Sequence, residues 1–169
     1  MLPNINNVLD YDASFTYQKN KVCVAMSADC IPILLTDKKA SFVAAIHAGW
    51  RGVENNIIHK TINNIDMCGS KIIAYIAPAI CKDHFEVGPE VFDIFMLQDK
   101  NYEAFFTKKN DGKFNCDLTA IAKQQLLKLG LLEQNIFLSN MCTYCNDELF
   151  FSYRRDGITG RMASLIWLT

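Results

Sequence analysis

Phe42-Val43-Ala44-Ala45-Ile46-His47, followed by Ala48-Gly49-Trp50-Arg51-Gly52, is the stretch on which the fold turns. The six residues are apolar on both alternating faces, which marks a strand covered on both sides. Such a strand needs one layer above it and another below. Gly49 and Gly52 then break the run, and Val53, Ile57, Ile58, Ile62 and Ile65 recur at helical spacing. A strand that ends on a histidine and passes through a glycine turn into a helix also places that histidine at the rim of the sheet, facing a turn.

Working outward, further strand-like runs are Val22–Ser27, Ile33–Thr36, Lys71–Ile76, Asn135–Leu138 and Met162–Leu168, all rich in Val, Ile, Phe and Ala. A second helix is predicted from Gly88-Pro89, since proline tolerates the first helical position, where its missing N–H would be unpaired anyway. A third follows Asp117, whose carboxylate can accept a free backbone N–H; its stripe is Leu118, Ala122, Leu126 and Leu129, and Gly130 suits the stop. The segment from Cys142 to Arg161 reads as a long aromatic and charged connection, of a kind that tends to carry function. There is no internal repeat and no Pro/Gly-rich linker, so residues 1–169 are expected to form a single domain. The fold class is α+β.

With 169 residues and half of them apolar, the chain can bury a substantial core. A net charge of −1 with scattered basic residues gives no electrostatic case for nucleic acid or an anionic membrane. No apolar run approaches the roughly 20 residues that span a bilayer. The opening Met-Leu-Pro-Asn-Ile-Asn-Asn lacks the basic start and apolar stretch of a signal peptide. Seven cysteines, an odd number, argue against a disulfide framework and for a reducing, cytoplasmic setting.

Among the candidate chemical residues, Cys30 and His47 stand first, each where a strand gives way to a turn. A thiol and an imidazole brought together make either a metal site or a nucleophile–base pair; the plain alternative is a buried thiol and a satisfied core histidine. Asp29 beside Cys30, and Trp50-Arg51-Gly52 after His47, add charge and close backbone approach that a core does not need.

Four blocks carry a resemblance. They are Ala28-Asp29-Cys30-Ile31-Pro32-Ile33-Leu34-Leu35; His47-Ala48-Gly49-Trp50-Arg51-Gly52; Phe85-Glu86-Val87-Gly88-Pro89-Glu90-Val91; and Cys142-Thr143-Tyr144 closing on Phe150-Phe151-Ser152-Tyr153-Arg154-Arg155-Asp156-Gly157 with Thr159-Gly160-Arg161-Met162-Ala163-Ser164. Together, and in this order, they resemble the YfiH family, long labelled a laccase-domain or polyphenol oxidase family, from about Asp12 to Thr169. The resemblance implies a layered α/β/β/α fold with mixed sheets. It implies a zinc-dependent purine nucleoside phosphorylase acting on adenosine and related nucleosides, including methylthioadenosine, with adenosine deamination as a further activity. Its partners would be a purine nucleoside and phosphate. Members hold one zinc ion with His, Cys and His; Cys30 matches the Cys and His47 the second His. The first family His lies in an upstream Gln-Val-His-Gly-like motif that this sequence does not contain, so the domain reads as shortened at its N-terminus, with two of three zinc ligands.

The remaining candidates follow from that reading. Arg51, Arg154 and Arg155 offer planar forks for phosphate, with structural ion pairs as the alternative. Asp29 is expected to orient a ligand or a proton, and Tyr153 to cover the base. His84 and Cys145 are conceivable replacement ligands, although nothing in the sequence places them near Cys30. Cys142-x-x-Cys145 lacks a second C-x-x-C partner and reads as structural or accidental. Cys81 falls where the family has glycine, and Ala77 replaces a glycine before Pro78. Alternatives in other classes are a metal-free Cys–His hydrolase or deamidase, an editor of peptidoglycan precursors, and an inactive remnant. Multi-copper phenol oxidation is disfavoured, because such sites need many histidines and the chain has three.

Overall fold

The computed structural model describes residues 11–169; the opening stretch read above for a signal peptide lies outside the described residues. The central element is a five-stranded sheet in the order β1-β4-β3-β5-β9, from β1 (Ala13–Thr16), β3 (Ile31–Asp37), β4 (Val43–Ala48), β5 (Ile72–Ile76) and β9 (Ile136–Leu138). It is mixed: β3 runs antiparallel to β4 and β5, whereas β5 and β9 are parallel. A two-stranded ribbon of β2 (Val22–Ser27) and β10 (Met162–Trp167) forms a second sheet, and β6 (Glu86–Val87), β7 (Phe106–Lys108) and β8 (Phe114–Cys116) form a small third one. The helices are α1 (Trp50–Glu54), α2 (Ile57–Asn63), α3 (Pro89–Gln98), α4 (Leu118–Lys128) and the short α5 (Tyr153–Asp156).

Alternation along β3 and β4 assigns the layers. Ile31, Ile33, Leu35, Ala44 and Ile46 share one core with Val53, Ile58, Ile62, Phe95, Ile121 and Leu126 of the helices. Leu34, Val43 and Ala45 point the other way and pack with Cys23, Ala25, Ile166 and Leu168 on the ribbon side. The central strands are therefore buried on both faces, as their composition requires. The fold is α+β with mixed sheets, and the described residues supply three of the four expected layers: helices, central sheet and ribbon. Val22, Val24, Met26, Leu165 and Trp167 on the outer face of the ribbon are exposed.

The predicted elements agree closely at Val22–Ser27 and differ by one or two residues elsewhere. Asp117 caps α4 by accepting from the Ala120 amide at 2.9 Å, and Gly130 takes φ +86° after the last turn. The single helix predicted after Gly52 is instead two. Asn56 adopts φ +60° between them, a left-handed conformation that asparagine tolerates and that interrupts the helical hydrogen bonding. No helix among the described residues is long and apolar enough to cross a membrane.

Candidate functional site

The β3–β4 register brings Cys30 and His47 to one face of the sheet. Pro32 pairs with His47 and Ile31 with Ala48, so Cys30, one residue before the strand, lies opposite Gly49. By strand alternation Cys30, Pro32 and Leu34 share the ribbon-side face with Val43, Ala45 and His47. A methyl group on Gly49 would sit 3.0 Å from the Cys30 sulfur and 3.9 Å from His47 Cε1, so both side chains close around that glycine. Gly49 has ordinary extended φ and ψ of −69° and 167°. What it supplies is space, not an unusual backbone. Gly49→Ala is accordingly expected to turn the thiol away with little loss of stability, lowering any activity that depends on the pair by about 10- to 100-fold; turnover measured beside a melting curve checks it.

Asp12 completes this corner. It stands opposite His47 just before β1; its backbone carbonyl accepts the His47 amide N–H at 2.6 Å, and its carboxylate lies 2.9 Å from Nδ1. A carboxylate accepts, so Nδ1 carries the proton and Nε2 is left for the Cys30 side. The Cys30 sulfur beside it, with Asp12 adding, pushes His47 up to about 9 against the opposing effect of burial. Below that value the ring carries a second proton on Nε2, which must leave before Nε2 can take a metal ion, so affinity at this corner rises with pH while Nδ1 stays protonated against Asp12. A thiol, an imidazole and a carboxylate behind the imidazole form a donor set that suits zinc. A third ligand close to both Cys30 and His47 is not found among the described residues.

The other expected site residues divide sharply. Arg51 is exposed in α1, with its guanidinium 4.3 Å from the Trp50 ring centroid and no carboxylate pairing among the described residues. Its cation remains available. Tyr153 opens α5 and is exposed. Asp29 is buried at φ +97°, and its carboxylate accepts from Thr143 Oγ1 at 2.6 Å, Ser152 Oγ at 3.1 Å and the Arg154 amide at 2.7 Å. It ties Thr143, Ser152 and Arg154 of the 143–154 connection to the bend just before β3. Arg155 is likewise spent inside the protein, donating to the carbonyls of Thr143, Tyr144 and Phe150 and pairing with Asp156. Arg154 donates to the Glu86 carbonyl at 2.8 Å and lies over Phe85. Arg155 thus braces a loop with its whole guanidinium, whereas Arg154 braces one through Nη1 and stays exposed.

A second cluster lies elsewhere. Cys81, His84, Cys142 and Cys145 bring four ligand atoms within 4.8 Å of one another, the one such group of three or more among the described residues. His84 and Cys145 thus come together, but with Cys81 and Cys142 and not as replacements at Cys30. The reading of Cys142-x-x-Cys145 as lacking partners is corrected by Cys81-x-x-His84. That spacing was the available signal, hidden because its second member is a histidine. A cavity of about 360 Å³ borders this region, lined in part by Cys81, Asp83, Asp117, Lys123, Asn140 and Cys142.

Comparison with known proteins places these features. The family model described as multi-copper polyphenol oxidoreductase laccase matches residues 3–169. A purine nucleoside phosphorylase, YfiH, from Escherichia coli is 42% identical over 157 residues, covering 93% of this chain and 63% of the relative. This chain therefore spans under two thirds of that protein's length. An adenosine deaminase, RL5, from an unknown prokaryotic organism is 36% identical over 151 residues, covering 87% of this chain and 58% of the relative. The crystal structure of a Neisseria meningitidis protein superimposes with a TM-score of 0.90 at 42% identity, covering 94% of this chain and 65% of that one.

Proposed function

We propose that this chain, which belongs to the family described as multi-copper polyphenol oxidoreductase laccase, is a zinc-dependent purine nucleoside phosphorylase for adenosine and related nucleosides. Methylthioadenosine phosphorolysis and adenosine deamination are proposed as further activities. The observation that carries the reading is the Asp12–His47–Cys30 corner, with Arg51 exposed beside it. The names carried by the relatives support the substrate class. Copper chemistry is not favoured: of the three histidines, His47 is held by Asp12, His84 belongs to the other cluster, and His59 lies exposed in α2.

Cys30 and His47 would hold the zinc, which supplies Lewis acidity toward phosphate or water when bound. We place its third protein ligand outside residues 11–169. The protein's own residues do the remaining work. Asp12 keeps Nδ1 protonated and Nε2 facing the thiol. Arg51 provides the planar cation for phosphate, and the Trp50 ring beneath it restricts its rotamers. Asp29 fixes the loop that presents Tyr153 to the base. In phosphorolysis a phosphate oxygen bonds to the ribose anomeric carbon as the bond to the purine nitrogen breaks, and the purine leaves with a proton. In deamination, water adds at the ring carbon bearing the amino group, the carbon–nitrogen bond breaks, and ammonia leaves with the proton that water gave up. Seven unpaired cysteines suit a reducing compartment, and the cytoplasm is the proposed location.

One observation favours a second reading. A thiol, an imidazole and a carboxylate in that order also form a nucleophile–base–orienter set, so the corner can serve as a metal-free cysteine hydrolase. Adenine release from adenosine, measured with and without phosphate after metal removal and zinc return, separates the two. The zinc reading expects phosphate-dependent release that falls on depletion, returns with zinc, and does not return in Cys30→Ser. Absence of phosphate-dependent release at every zinc concentration overturns it. Activity that survives depletion but not Cys30→Ser replaces it with the thiol nucleophile.

A further inference from the structure

We propose that Cys81, His84, Cys142 and Cys145 form a closed zinc site of structural type, separate from the Cys30–His47 corner. Three thiols and one imidazole are the donor set of Cys₃His zinc sites, and four protein ligands leave no open position for substrate. The spacing is right: a C-x-x-H on one loop faces a C-x-x-C on another. With zinc–sulfur and zinc–nitrogen bonds of about 2.3 and 2.1 Å, tetrahedral geometry sets ligand atoms roughly 3.5–4 Å apart. Here His84 Nδ1 lies 3.2 Å from the Cys81 sulfur and 3.4 Å from the Cys145 sulfur, and all four atoms fall within 4.8 Å.

The surroundings are built for ligation. The His84 ring is stacked on Tyr144 at 4.1 Å between centroids, which fixes its plane. The Cys81 amide points at the Cys142 sulfur at 3.3 Å, the kind of N–H···S contact that steadies a thiolate. A turn at each pair shapes the loop: the amides of His84 and Phe85 reach the Cys81 carbonyl, and that of Asn146 reaches the Cys142 carbonyl. The loops are joined at the cluster itself by a parallel bridge between Ala79 and the ligand residue Cys142. Cys81, Cys142 and Cys145 are all free thiols, so no two of them are joined in a disulfide. Zinc here would tie together segments 61 residues apart. Thr143, which follows Cys142, bonds Asp29. The site would thereby anchor the connection that carries Tyr153.

Zinc content by elemental mass spectrometry and the absorption spectrum after cobalt exchange test this. The Cys30→Ser chain should retain one zinc per molecule, and its cobalt form should show intense tetrahedral d–d bands with thiolate charge transfer. Cys145→Ser, made in the Cys30→Ser background at an exposed position, should release zinc to a chelator at least about 100-fold more readily, since losing a ligand outweighs losing a mere ligand support. Its charge-transfer intensity should fall, and Cys145→His should recover retention. The proposal is overturned if Cys30→Ser binds neither zinc nor cobalt. It is equally overturned if Cys145→Ser keeps one zinc with an unchanged spectrum, or if peptide mapping finds the freshly purified cysteines joined as disulfides.

Discussion

His47→Ala is expected to lower phosphate-dependent adenine release by at least about 10³-fold, to the limit of detection. Metal assistance contributes several kcal/mol to such reactions, and each 1.36 kcal/mol is tenfold in rate. Removing the imidazole takes away one of two zinc donors that the described residues bring to this corner, and also strands Asp12 without its partner. Asp12→Asn is the graded companion. It keeps the side chain's shape but weakens its hold on Nδ1, and a loss of about 10- to 100-fold in metal affinity or activity is expected. Steady-state rates at saturating zinc, set beside zinc titrations, check both. Wild-type turnover in His47→Ala would remove His47 from the chemistry altogether.

Asp29→Ala is expected to be the most destabilising single change at the corner, by about 3–5 kcal/mol, because three donors lose one charged acceptor and each buried donor left unpaired costs about 1–3 kcal/mol. The deletion leaves Thr143 Oγ, Ser152 Oγ and the Arg154 amide without their acceptor in a buried place. Alanine also fits poorly at φ +97°. For a chain of this size the melting temperature should fall on the order of 10 °C. Asp29→Asn should lie between, because an amide keeps one acceptor but turns a donor toward donors. A calorimetric scan of the three proteins decides it. A shift within about 1 °C in Asp29→Ala would mean that the loop does not depend on this carboxylate.

The sequence reveals those parts of the fold that are long, apolar and sharply bounded. Val22–Ser27 is a short apolar run with clear ends, and the cap at Asp117 and stop at Gly130 bracket α4. By contrast β1 is only Ala-Ser-Phe-Thr at a sheet edge, and β6, β7 and β8 have two or three residues each, too few for a period to register. The same limit governs the site. Cys30 and His47 are legible because each sits in its own strand-ending block. Asp12 matters only through the pairing of β1 with β4, which no local pattern encodes. Arg155 looks like a phosphate ligand until the carbonyls around it are known, for a guanidinium suits either task. The four-ligand cluster needs two loops 61 residues apart to meet, and that contact belongs to topology.

The Asp29 hydrogen bonds also dictate how this corner breathes. The Arg154 amide can reach solvent for hydrogen exchange only when its bond to the buried carboxylate opens, and that event removes an acceptor shared with the hydroxyls of Thr143 and Ser152. Ser152 Oγ in turn holds the Arg155 amide, and the Asp29 carbonyl holds that of Ile80. The amides of Ile80, Arg154 and Arg155 therefore belong to one opening unit, and a deuterium label should enter them together. If the three amides exchange as one unit, the residue next to Cys30 is what couples the Tyr153 segment to the bend before β3.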